Sequence, residues 1–401
     1  MRTGKIVKQV VRLTLLSALA AMAALLMSCG DSNTTKVNTT PKFLVAPDMT
    51  AGAHVNVFTI AADSTLTAVA SSPQDMGVTG VTTIVIDPAK NNVVFAADES
   101  DGMIRSWSID STGKLTTVDT TAAASASTGF GDGNFFWRRD SLAVSPNGKC
   151  LFSALGNTHV GAFQIGSDNK LTARAELDIS SDDANAHTSA VAASTGFVYI
   201  ANQDDTHVLV ATIGADCSLT LDSALTKDIN LDAGALGSVS DLRSLAISPS
   251  GKHLMVSDDD FGAMTTYTIS SADGSLTNSQ TAFQPSGNGS TTCDLESVTF
   301  STDGKFAYAS DCDFDVAAVT FDDGAGTVTG NVPGSLFITG NGGGGTIVVD
   351  RSDNLVFTSG ECGPIFSFKR DTTTGALSPA TGNLTHTSGN TDSVCSVAVT
   401  Y

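Results

Sequence analysis

Basic residues are scarce in this sequence. Lys and Arg total 21 against 41 Asp and Glu, a formal charge of −20 over 401 residues. A surface this acidic repels a phosphate backbone, and the few cations form no stripe, which argues against nucleic acid as a partner. Aromatic residues make up only 6% of the chain. The motifs C-x-x-C, H-E-x-x-H, G-x-S-x-G and the Walker phosphate loop are all missing, so zinc sites, a nucleophile elbow and nucleotide binding lack their usual signatures. From residue 43 onward helical periodicity is missing too. The longest apolar run, Leu13–Met27, has 15 residues, too short for a comfortable bilayer span. With 41% hydrophobic residues in recurrent short runs, disorder is excluded for most of the chain.

The N-terminus reads as an export signal. Residues 1–28 carry Arg2, Lys5, Lys8 and Arg12 and no acid before and within the apolar core, the charge pattern of a signal peptide. The core ends Leu26-Met27-Ser28-Cys29-Gly30, which resembles the bacterial lipobox. Cleavage there would leave Cys29 acylated on sulfur and nitrogen, and several acyl chains anchor stably where one does not. A plain secretory signal with an incidental cysteine is the alternative. Residues 29–42 then form the lipidated Cys and a polar tether, spanning about 20 Å as a coil. The expected address is the cell envelope, with the membrane as a partner.

Residues 43–401 repeat. Four segments align: SLAVSPNGKCLFSALGNTHVGAFQIGSDNKLT from 141, SLAISPSGKHLMVSDDDFGAMTTYTISSADGSLT from 244, SVTFSTDGKFAYASDCDFDVAAVTFDDGAGTVT from 297 and TIVVDRSDNLVFTSGECGPIFSFKRDTTTGALS from 346. Looser copies start at 82 and 189. Each holds a β-branched run, a Pro/Asp/Gly turn, a second run, an acidic loop, a third run and a Gly-x-Leu turn into a fourth. Turns near 87, 145, 194, 248, 301 and 350 are spaced by 58, 49, 54, 53 and 49 residues. Four short strands per repeat of this length predict propeller blades. Residues 43–69 match the last three runs of a copy, and Ser396–Thr400 match its missing first run. The expected fold is therefore all-β: one seven-bladed β-propeller with four antiparallel strands per blade. Its ring closes where the C-terminal strand pairs into the N-terminal blade, which removes an exposed edge.

The pattern S-P-x-G-K, then V-x-x-F/Y-x-I, then G-x-L-T resembles the lactonase-type seven-bladed propellers and the related YVTN-repeat surface proteins. The Trp-Asp signature of WD40 repeats and the tryptophan docking repeats of quinoprotein dehydrogenases are missing. The resemblance implies a lactonase-type carboxylic ester hydrolase, similar to 6-phosphogluconolactonase, acting on a lactone or sugar acid. In that family a Pro-Arg-His or Pro-His turn precedes the inner strand. Here Arg243 falls on the arginine, Ser244 stands in place of the histidine, and His187 and Glu296 lie out of register. The leading expectation is nevertheless an exported, lipid-anchored module binding a small molecule or an envelope protein, with the lactonase-type hydrolase as its alternative.

Without Cys29, six cysteines remain, an even number suited to disulfides in an exported protein. In the hairpin about Thr302-Asp303-Gly304, opposed residues sum to about 605, which pairs Cys293 with Cys312. Cys362 and Cys395 fall at neighbouring loop and strand mouths, and Cys150 and Cys217 remain by elimination.

Three constellations are candidates for chemistry. Arg243, Glu296, His187 and Arg139 stand at inner-strand entrances, where they are placed to hold a carboxylate or sugar acid with Glu296 or His187 as proton carrier. Ordinary ion pairs lining a wet channel are the alternative. Asp311, Asp313 and Asp315 alternate in an acidic loop and would suit Ca²⁺, the one cofactor considered; a solvated acidic rim is the competing reading. Phe135, Phe136, Trp137, Arg138 and Arg139 lie in the longest connection, where rings and guanidinium groups suit a ligand-recognition loop. A structural plug between blades is the other possibility.

Overall fold

The computed structural model describes residues 42–400 except 49–53, 79, 125–139, 183–185, 204–205, 233–240, 259–261, 286–294, 312–314, 339–343, 353, 361–362 and 381–393. The described chain forms seven antiparallel sheets arranged as propeller blades, with four strands along the main path of each. Blade one runs outward from Ala398–Val399 through Phe43–Pro47 and Val55–Ile60 to Leu66–Ala68. The inner strands of blades two to seven are Val81–Ile86, Leu142–Val144, Thr188–Ala193, Leu242–Ile247, Leu295–Phe300 and Gly344–Val349. Blades three, four and six depart from the expected count: a short additional strand pairs with the third strand beyond the fourth. In blade three, Leu171–Ala173 and Leu177–Asp178 both lie along His159–Ile165.

Apart from Phe197 at the start of the blade-four strand, the second strands are buried along their whole length, as in Val93–Asp98, His253–Asp258 and Phe306–Asp311. Both faces of each sheet pack on a neighbouring blade, so these strands read as continuous rather than alternating apolar runs. The core is accordingly divided into inter-blade layers. Trp107 packs with Phe43 and Ile84 between blades one and two. Tyr308, Phe366 and Phe368 pack between blades six and seven.

Two local devices recur on one face, here called the turn face. Between inner and second strands, a Ser or Asp side chain accepts the N–H five residues on. Cys150 N donates to Ser145 Oγ at 3.0 Å, Phe306 N to Ser301 Oγ at 3.0 Å, and Leu355 N to Asp350 Oδ1 at 2.9 Å. Blade one makes the same bond between the chain ends: Phe43 N donates to Thr400 Oγ1 at 2.8 Å. The closing strand thus reproduces non-covalently a turn that is covalent elsewhere. The second device is a glycine with positive φ between the third and outer strands. Gly113, Gly274, Gly326 and Gly375 sit against Phe43, Phe197, His253 and Phe306 of the preceding blade, leaving no room for a Cβ.

Cys150 and Cys217 are joined, linking blades three and four. Cys395 is also disulfide-bonded; Cys293, Cys312 and Cys362 lie outside the described residues.

Candidate active site at the channel mouth

The inner strands start on the face opposite the turns and surround a central channel. Counting back five residues from each turn gives Thr82, Asp140, Ser189, Arg243, Glu296, Gly345 and Cys395. In blades two, four, five and six the ladder with the second strand slips at this point, between Val81 and Thr83, Thr188 and Ala190, Leu242 and Ser244, and Leu295 and Ser297. Such a bulge leaves one residue out of the pairing and re-aims its side chain. Arg243 and Glu296 therefore occupy the same structural position in adjacent blades. Both are buried, at 5% and 2% exposure. Arg243 Nη2 donates to Asp241 Oδ2 at 2.6 Å. His187 lies two residues above the bulge level and is half-buried; its N–H donates to Asn202 Oδ1 at 3.1 Å.

One residue deeper, six of the seven inner strands carry a hydroxyl: Thr83, Ser141, Ser244, Ser297, Thr346 and Ser396, with Ala190 the exception. These stitch neighbouring blades together around the channel. Val298 N donates to Ser244 Oγ at 3.0 Å, Ile347 N to Ser297 Oγ at 3.4 Å, Val397 N to Thr346 Oγ1 at 2.7 Å and Ile84 N to Ser396 Oγ at 3.2 Å. Where Ala190 interrupts the series, Asp140 takes over. Its carbonyl accepts from Val191 N at 3.1 Å, and its carboxylate accepts from the Ser244 hydroxyl. Below lies a cavity of about 280 Å³, lined by Asp140, Thr299, Thr346 and the aliphatic inner-strand residues of blades one, two, six and seven.

In three of the acidic loops the first carboxylate does not form a solvated rim. Asp98, Asp258 and Asp311, each ending a second strand, are at most 2% exposed. Asp98 shows why: it accepts from Gly80 N at 2.9 Å and pairs with Arg105 Nη1 at 3.1 Å, tying a loop to the entrance of its own blade. Among the described residues no group of carboxylates, histidines and cysteines is placed to hold a metal ion. Asp313 and the side chain of Asp315 lie outside the described residues, as do Phe135, Phe136, Trp137, Arg138 and Arg139.

Sequence reasoning singled out Arg243, Glu296 and His187 but passed over Asp140 and the hydroxyl ring. The ring did leave a signal, a Ser or Thr four residues before every turn but the one near 194. Asp140 left none, since its contact with Ser244 joins blades that are not sequence neighbours.

Comparison with known proteins now places the chain. Among solved structures, one from Lactobacillus plantarum superposes with a TM-score of 0.70 at 15% identity, covering 90% of this chain and 99% of that one. A candidate 6-phosphogluconolactonase from Bacteroides fragilis gives 0.68 at 16%, covering 92% and 99%. A periplasmic gluconolactonase from Pseudomonas aeruginosa gives 0.68 at 14%, covering 86% and 98%. At such identities the likeness is one of fold. No curated protein matches the sequence. The model of the lactonase, seven-bladed beta-propeller family matches residues 8–288, well over half of the chain, so the protein belongs to that family.

Proposed function

We propose that the protein is a lactone hydrolase of the cell envelope, working at the channel mouth. The observation that carries this reading is the placement of Arg243 and Glu296 at equivalent bulged positions of adjacent blades, above a cavity that Asp140 enters. Family membership, and neighbours named for gluconolactone and 6-phosphogluconolactone chemistry, support it. In this reading the Arg243 guanidinium polarises the lactone carbonyl and stabilises charge developing on its oxygen. Glu296 takes a proton from the attacking water, and the ring C–O bond breaks to give the hydroxy acid. The proton held by Glu296 is then returned to the leaving ring oxygen, with His187 the alternative proton carrier at the mouth. The ion pair of Arg243 with Asp241 favours a second reading, in which the same mouth binds a sugar acid or an envelope protein without turnover.

Titration of acid released from glucono-δ-lactone tests the first reading. Arg243→Ala and the isosteric Glu296→Gln should each lower kcat/KM at least a hundredfold, with circular dichroism unchanged. Wild-type hydrolysis no faster than the buffer rate would leave the binding module as the surviving reading.

We further propose that Cys29 is acylated and that the propeller is held to a membrane on the oxidising side. The Cys150–Cys217 bond supports export, because cytosolic thiols are kept reduced. Palmitate labelling that persists in Cys29→Ser would overturn the anchor.

A further inference from the structure

We propose that the turn face is the surface apposed to lipid, so that the channel mouth opens away from the membrane. This rests on the acylation of Cys29 proposed above.

The first argument is where the chain enters. Residue 42 arrives on the turn face and is pinned there. Lys42 Nζ meets Asp350 Oδ2, in the blade-seven turn, at 2.7 Å. The Lys42 carbonyl accepts from Ile60 N at 3.1 Å, and the next residue is held by Thr400. Twelve residues lie between Cys29 and Lys42, and a random coil of that length would span about 20 Å. Reaching the mouth face would mean passing two outer strands and climbing a six-residue strand, a path of roughly 30 Å. A lipid on Cys29 therefore pulls the turn face, rather than the mouth, toward the bilayer.

The second argument is charge. On the turn face Lys90, Lys149, Lys252, Lys305 and Arg351 are exposed in the inner turns. Acids share these turns: Asp87, Asp303 and Asp350 in the inner ones, and Asp63, Asp110, Asp168, Asp216, Asp273, Asp322, Asp323 and Asp371 farther out, where Lys114, Lys170, Lys369 and Arg370 also stand. With Lys42, the described residues of this face carry ten cations against eleven acids, close to balance. The described charges of the mouth are mainly acids: Asp98, Asp140, Asp228, Asp232, Asp241, Asp258, Glu296 and Asp311 against Arg105, Lys227 and Arg243. The two faces lie about 20 Å apart, more than twice the Debye length of ~8 Å at physiological ionic strength, so each meets a headgroup layer with its own charge. Anionic lipid repels the mouth and tolerates the turn face.

The test uses the full lipidated chain reconstituted in vesicles of phosphatidylethanolamine and phosphatidylglycerol. Flotation with the vesicles reports the anchor, and amine acylation read by peptide mass spectrometry reports the orientation. Lys90, Lys149, Lys252 and Lys305 should be modified at least threefold less in vesicles than in detergent, while Lys227, on the mouth side, is unchanged. Flotation with fully reactive turn-face lysines, or with Lys227 shielded instead, would overturn the orientation and leave the anchor standing. Failure to float would overturn both.

Discussion

Arg370 shows how much a single side chain does between blades six and seven. Its Nη2 donates to both oxygens of Asp303 at 3.1 Å, its Nε donates to the Tyr308 hydroxyl at 3.0 Å, and its guanidinium lies 4.9 Å from the Phe306 ring centre. Tyr308 passes the chain on to the Gly375 carbonyl at 2.8 Å. Burial works against the charge of Asp303, but the bonds from Ser301, the Lys305 N–H and Arg370 outweigh it, so the carboxyl sits below its ordinary value. A carboxyl lowered in the fold contributes stability above its unfolded value of about 4, and this is lost as pH falls through the folded value. Asp303→Asn removes that contribution. Its unfolding free energy should therefore be lower than wild type at neutral pH and decline less steeply below about pH 4. Parallel urea titrations at several pH values check this; identical slopes in acid would mean that Asp303 is not linked to folding.

Among the strands and turns, the glycines separate two costs that are usually entangled. Gly251 has φ +71° and open space where a Cβ would stand, whereas Gly375 has φ +76° and would place a Cβ 2.2 Å from Phe306 Cδ1. Gly251→Ala should therefore cost only the left-handed backbone term, about 1–2 kcal/mol. Gly375→Ala should cost that plus the displacement of Phe306, about 3 kcal/mol or more. Equilibrium denaturation of both variants measures the difference, and equal losses would show that the ring yields freely. The turn signals were legible in the sequence because they are local: a Ser or Asp capping a turn and a Gly ending the next need no distant partner. The extra strands of blades three, four and six were not, since Leu177–Asp178 is held by pairing with His159 and Val160 rather than by its own pattern.

For the whole ring, closure matters more than any one blade. Three devices act against its opening: the Thr400 hydroxyl on Phe43, the Ser396 hydroxyl on Ile84, and the pairing of Leu44 with Val399. The Cys150–Cys217 bridge adds a covalent tie across a separation of 67 residues. On the chain-entropy model that loop contributes about 4 kcal/mol. Replacing both cysteines with serine should lower stability by up to that amount without changing the far-ultraviolet circular dichroism. A loss below about 1 kcal/mol would mean that the unfolded chain gains little freedom when the bridge is cut.

Seven blades, their strand order and the joining of the two chain ends were all readable in the residues alone. Repetition makes that possible: a turn signal too weak to trust once becomes decisive when it recurs at near-constant spacing. The side chains of the mouth answer to different physics. A one-residue bulge reverses the face that a strand residue presents, and no local pattern marks it, so the shared position of Arg243 and Glu296 emerges only when the inner strands are paired. Asp140 depends on still more. It reaches Ser244 across the blade in which Ala190 lacks a hydroxyl, a contact that exists because the closed ring brings together residues 104 positions apart. The burial of Asp98, Asp258 and Asp311 has the same origin, since acids that read as solvated loop residues are covered once the blades pack side by side.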